Sequence, residues 1–183
     1  MNKMERSLGS RLVLSAMILL FFMNQGGLTQ GTKVTIPEGN VSVIVPDGWQ
    51  RGVPSKGYSL LVGTVEPDTK FRANISLLIT NIPGLSKQPF TLDQLFASSK
   101  ANLDKTFQSG YGNLTKSTMK VLDKEILVIQ YDIYRKDANM TCRQYYIFVG
   151  DMRYLFTGVA SQKNFMNYEG HFDAIVNSIV ISP

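Results

Sequence analysis

Two side chains set the limits of the chemistry: the chain has one cysteine, Cys142, and one histidine, His171. A Cys/His zinc site takes four protein ligands, so none can be built from this pair. Cys142 has no second thiol and cannot form an intramolecular disulfide. A serine or cysteine nucleophile would have to use His171 as its base. His171 stands in Tyr168-Glu169-Gly170-His171-Phe172, which reads as helix. Cys142 stands in Met140-Thr141-Cys142-Arg143, where a strand begins. Nothing local joins the two, and no orienting acid accompanies them. The expectation is a partly exposed helical histidine and a buried thiol, with a reactive or intermolecular thiol as the alternative.

The acids are equally uncommitted. Glu66-Pro67-Asp68 and Asp123-Lys124-Glu125 sit at turns, where carboxylates are common. Asp137-Ala138-Asn139 lacks the glycine and glutamate of a calcium loop. No G-x-S-x-G elbow, phosphate loop or H-E-x-x-H occurs. Tyr131, Tyr134, Tyr145, Tyr146, Phe148, Tyr154 and Phe156 are dense on strands, where aromatics serve cross-strand packing, or else a ligand-gripping surface. Trp49 beside Pro46-Asp47-Gly48 reads as a lid on the sheet edge. No catalytic, cofactor-binding or metal-binding residue is assigned, and the expectation is a protein that is not an enzyme. The competing expectation is a small-ligand carrier or enzyme with a concave pocket between sheet and helix, lined by convergent polar groups.

Charge narrows the partners. The formal net charge is +5. Residues 31–183 keep 16 basic and 13 acidic side chains, a mild and scattered surplus. Nucleic-acid binding concentrates basic residues on one face, so no nucleic acid is expected. Solubility and weak attraction to acidic surfaces account for the surplus, and peripheral membrane contact stays open.

Lys3, Arg6 and Arg11 precede LVLSAMILLFFM at 12–23. As a helix that run spans about 18 Å, against a hydrocarbon core of about 30 Å. A basic start followed by a short apolar middle reads as an export signal over residues 1–30. Asn24-Gln25-Gly26-Gly27 supplies small residues but no A-x-A pattern, so an uncleaved N-terminal anchor is the alternative. With no cysteine after the apolar run, the chain is not a lipoprotein. Sequons stand at Asn40, Asn74, Asn113 and Asn139. A eukaryotic secreted domain would more often carry disulfides, so the reading is a bacterial protein, periplasmic or secreted.

Residues 31–183 read as a single domain. Val34 and Ile36 alternate, Pro37-Glu38-Gly39-Asn40 turns, and Val41, Val43 and Val45 alternate again, which makes a hairpin. Tyr58–Val65 and Phe71–Thr80 follow. In the second, Phe71, Ala73, Ile75, Leu77 and Ile79 share one face, while Arg72, Asn74, Ser76 and Thr80 take the other, predicted to be half solvated. Thr91 and Gln94 form a capping box for a helix over 92–108, with Leu92, Leu95, Phe96, Leu103 and Phe107 on one stripe. Strands over 113–121, 125–135, 142–149 and 153–160 come next. The third-quarter run Ile126-Leu127-Val128-Ile129 is apolar on both faces and is expected at the centre. Asn164 or Ser161 caps a second helix carrying Phe165, Tyr168, Phe172, Ile175, Val176 and Ile179, and Val180-Ile181 closes the chain as a short strand. The class is α+β: an antiparallel sheet of about six to eight strands packed by two amphipathic helices.

Val45-Pro46-Asp47-Gly48-Trp49, Gln144-Tyr145-Tyr146, Tyr154-Leu155-Phe156-Thr157 with Ala160, and Ile175-Val176-Asn177-Ser178-Ile179-Val180-Ile181 occur in an order that resembles the PsbP/DcrB-like family of the Mog/PsbP-like superfamily. The resemblance covers nearly all of 33–183 and implies an α/β/α sandwich. It also implies a non-enzymatic accessory or interaction module with a protein partner in the cell envelope. The chain departs from DcrB-like members in lacking their lipoprotein cysteine, and from plant members in lacking a thylakoid transit sequence. Nuclear Ran binding is incompatible with export. No ligand residue is carried over. A secreted host-directed protein is a further alternative.

Overall fold

The computed structural model describes residues 31–55, 57–67, 71–87 and 90–182. The export segment expected at 1–30 lies outside them. The chain runs through β1 (Gly31–Ile36), β2 (Val41–Pro46), β3 (Gln50–Arg51), β4 (Leu60–Val65) and β5 (Arg72–Asn81) into α1 (Leu92–Phe107). Then follow β6 (Tyr111–Val121), β7 (Lys124–Ile133), β8 (Met140–Val149), β9 (Met152–Ser161), α2 (Phe165–Asn177) and β10 (Val180–Ile181).

These strands form two sheets. One has three strands in the order β1-β2-β10, the other seven in the order β3-β4-β5-β9-β8-β7-β6. Every pairing is antiparallel. The α+β class and the two helices match the expectation, while the opening hairpin separates into its own small sheet. The closing strand β10 pairs with β2 there, so the ends of the domain are tied together. The strand β3 is too short for its alternation to be visible in sequence. The doubly apolar strand β7 is next to the edge rather than central, because β6 alone lies beyond it. Its Ile126 and Val128 enter one core and its Leu127 and Ile129 the other. Burial on both faces follows from layering, not from a middle position in the sheet.

The first core lies between the large sheet, the small sheet and α2. Phe165, Tyr168, Phe172, Ile175 and Val176 of α2 join Val41, Val43 and Val45 of β2 and Ile75, Leu77, Tyr145 and Phe156 of the large sheet. A glycine permits the approach: a Cβ at Gly158 would stand 2.7 Å from the Phe172 ring. The second core lies under α1. Leu92, Leu95, Phe96 and Phe107 pack against Leu127, Ile129, Tyr131, Ile133 and Cys142. The capping box is present: Thr91 Oγ1 accepts from Gln94 N at 3.1 Å, and Gln94 Oε1 accepts from Thr91 N at 2.8 Å.

Asn164 is the N-cap of α2 but makes no side-chain cap bond. Its Nδ2 donates instead to Glu66 Oε2 at 2.9 Å. Glu66 is only 1% exposed and also accepts from Ser161 N at 2.7 Å and from Ser161 Oγ. These three donors meet the hydrogen-bonding needs of a carboxyl group that is cut off from water. It pins the segment after β4 to the start of α2. Trp49 lies against α2 rather than over a sheet edge, edge-on to Tyr168, His171 and Phe172 at centroid distances of 5.8–6.3 Å.

Candidate binding groove

The large sheet divides Cys142 from His171. Cys142 belongs to the core under α1, and His171 lies on α2 against Trp49. They form no couple. Cys142 is buried at 3% exposure, and burial pushes its thiol from 9.0 up to about 12, against the opposing pull of the Tyr131 hydroxyl and of Arg135. His171 is partly exposed, and its buried Nδ1 has no hydrogen-bond partner among the described residues. No group of three or more metal-ligating side chains occurs among the described residues.

The prominent titratable clusters are closed on themselves. The Arg143 side chain, 14% exposed, meets Glu169 at 2.9 Å and Asp173 at 3.1 Å. It also donates to Tyr145 Oη and Gln130 Oε1, both at 3.0 Å. Tyr145 Oη donates to Asp173 Oδ1 at 2.7 Å. Burial first, then the Asp173 carboxylate, raises the Tyr145 hydroxyl far above its ordinary pKa. Asp132 accepts from Thr141 Oγ1 at 2.6 Å, Asn113 Nδ2 at 2.7 Å and Gln162 Nε2 at 2.8 Å. With their partners supplied from within, these groups fasten helices and hairpins to the sheet.

The open feature is on the face that carries α1. The α1 stripe packs on β7, and the neighbouring part of the face is left uncovered. On β7, Leu127, Ile129, Tyr131 and Ile133 are buried; on β5 and β9, Asn74, Leu78, Arg153, Leu155, Thr157 and Val159 are only half-buried. The result is a groove of about 690 Å³ whose floor is β5, β9 and β8 and whose wall is α1. That size falls in the class of ligand clefts, about 300–1,000 Å³.

Strand register orders the floor into rows. Thr80, Arg153 and Phe148 stand side by side across β5, β9 and β8. Next come Leu78, Leu155 and Tyr146, then Ser76, Thr157 and Gln144, then Asn74, Val159 and Cys142. Successive rows are two residues apart, about 6.6 Å. The α1 wall contributes Leu95, Ser98, Ser99, Asn102 and Thr106. Among the described residues, two arginines line the groove and no carboxylate does. Arg153 stands at the Tyr146 end and lowers the pull of burial on that hydroxyl; Arg135 stands at the Cys142 end. Arg153 Nη2 donates to Thr80 Oγ1 at 3.3 Å. Its Nε is buried with no partner among the described residues.

The groove lies between sheet and helix, where the competing reading, a small-ligand carrier or enzyme, placed its pocket. One signal for it was present in sequence: the half-solvated face of β5 is part of its floor. Arg153, Thr157 and Gln144 were not singled out, because only the strand order sets them beside that face.

No family model and no curated protein matches the chain by sequence. Solved structures do match in fold. Cyanobacterial PsbP (CyanoP) from Synechocystis superposes with a TM-score of 0.60 at 13% identity, covering 86% of this chain and 96% of that one. LpqN of Mycobacterium tuberculosis, involved in cell envelope biogenesis, gives 0.60 at 13% identity, covering 84% and 91%. The Saccharomyces cerevisiae Ran-binding protein Mog1p gives 0.56 at 10% identity, covering 84% and 96%. The chain therefore has the PsbP/Mog1-like fold.

Proposed function

We propose that the protein is an exported, non-enzymatic binding module of the bacterial cell envelope that holds a protein partner in the groove between α1 and the large sheet. The observation that carries this reading is the groove itself. The α1 helix covers only part of this sheet face, and the remainder is a groove lined by arginines and by several hydrogen-bonding side chains. The basic, apolar start of the chain supports export. A role for the similar LpqN in cell envelope biogenesis supports the compartment. Cell fractionation with intact-mass measurement tests the placement. Recovery in the periplasm, envelope or medium is expected, with residues 1–30 removed or retained as an anchor. A soluble cytosolic product with those residues intact would reject it.

The groove's volume also favours a second reading, a carrier of a small molecule. Native mass spectrometry of protein isolated from its own host separates the two. A stoichiometric small-molecule adduct would favour the carrier.

A further inference from the structure

We infer that the groove receives an extended acidic segment of the partner, with a carboxylate paired to Arg153; this deepens the proposed function and rests on it. Charge selects the sign of the occupant. Among the described residues, the lining has Arg153 and Arg135 at its two ends and no aspartate or glutamate between them. Arg153 spends one Nη on Thr80, and its buried Nε has no partner among the described residues. With Nε shut away from the groove, the terminal Nη groups are the donors that Arg153 can offer an incoming carboxylate.

Row spacing selects the shape. Alternate side chains of an extended peptide are about 6.6 Å apart, which is the spacing of the floor rows. From Arg153 to Val159 the floor runs about 20 Å, the length of about six extended residues. Apolar side chains would seat on the row of Leu78, Leu155 and Tyr146. The lining also selects peptide over an alkyl chain. Asn74, Asn102 and Gln144 are carboxamides, each able to donate and accept, and Ser98 and Thr157 add hydroxyls. A hydrocarbon tail would bury these groups without returning a hydrogen bond, at a cost for each. A peptide main chain offers them donors and acceptors along its whole length. The strands under the groove are paired on both sides, so recognition runs through side chains on the sheet face and not through strand addition.

The test is fluorescence anisotropy of the purified protein with a labelled six-residue peptide, glutamate at each end and leucine and threonine between. Peptides with lysine or glutamine at the ends serve as comparisons. The glutamate peptide is expected to bind at least about tenfold more tightly than the glutamine one, the weight of one charge-assisted pair. The lysine peptide should not bind, and added salt should weaken the complex. Arg153→Gln should remove the preference for glutamate, Arg153→Lys should retain part of it, and Thr157→Trp should block binding by filling the floor. Equal affinity for all three peptides overturns the inference, as does an unchanged preference in Arg153→Gln. Binding of dodecanoate that no peptide displaces also overturns it and assigns the groove to an amphiphile. If the peptides fail while a partner is still captured from envelope extracts, the module reading stands and the groove is not its interface.

Discussion

At the scale of single residues, polar side chains in this protein divide into those whose partners the fold supplies and those left short. Glu66 belongs to the first group. Its carboxylate gathers Ser161 and Asn164, so Glu66→Ala strands buried donors and should cost about 3 kcal/mol in urea unfolding. Glu66→Gln keeps one acceptor and should cost less. An unchanged midpoint for the alanine variant would mean that water replaces the carboxylate freely. Cys142 tests burial on the groove side. Its thiol is held up to about 12 from 9.0, so the native thiolate fraction at neutral pH is about a thousandfold below that of a free cysteine. Alkylation of the native protein should be slow and keep rising with pH beyond 9, where a free thiol levels off. The folded pKa is raised, so the stabilisation from the protonated thiol is complete below about 9 and is lost as pH climbs toward 12. A native labelling rate equal to that in urea would contradict the burial.

At the scale of elements, the clearest dependence is of α2 on Gly158. The Phe172 ring occupies the space a side chain would take, so Gly158→Ala must push the helix or the ring aside. It should cost about 2 kcal/mol by thermal or urea unfolding. A neutral Gly158→Ala would show that the helix does not close on β9 as described. The elements were largely legible from sequence, for identifiable reasons. The capping box at Thr91 and Gln94 and the 3.6-residue stripe of α1 are local signals. The strands β5 to β9 are bounded by turn residues; alternation marks β5, where one face meets a core, and a continuous apolar run marks β7, where both do. What was not legible depends on contacts distant in sequence. The two-residue strand β3 has no pattern of its own. The small sheet exists because β10 returns from the far end of the chain to β2. Asn164, expected along with Ser161 as a cap for α2, does stand at the N-cap, but its side chain makes no cap bond and its amide goes to Glu66, about a hundred positions earlier. Trp49 likewise meets α2 rather than a sheet edge.

At the scale of the whole molecule, two layers are doing different jobs. The face under α2 and the small sheet is filled by large apolar side chains, with Arg143 paired to Glu169 and Asp173 and Glu66 hydrogen-bonded by Ser161 and Asn164. The face under α1 is filled on β7 and open on β5 and β9. The sequence held half of that site: the polar alternation of β5 was visible, but the row that joins it to Arg153 and Gln144 is a product of the strand order β5-β9-β8. No helix among the described residues is long and apolar enough to cross a membrane, and the fold is one that LpqN and Mog1p also use. The most direct measurement is photo-crosslinking in living cells with a benzophenone side chain placed at Leu155 in the groove or, as the comparison, at Met166, which is exposed on α2. A single envelope protein joined from Leu155 and not from Met166 is the predicted result. Equal or absent crosslinks at the two positions would contradict the assignment of the groove as the partner's seat.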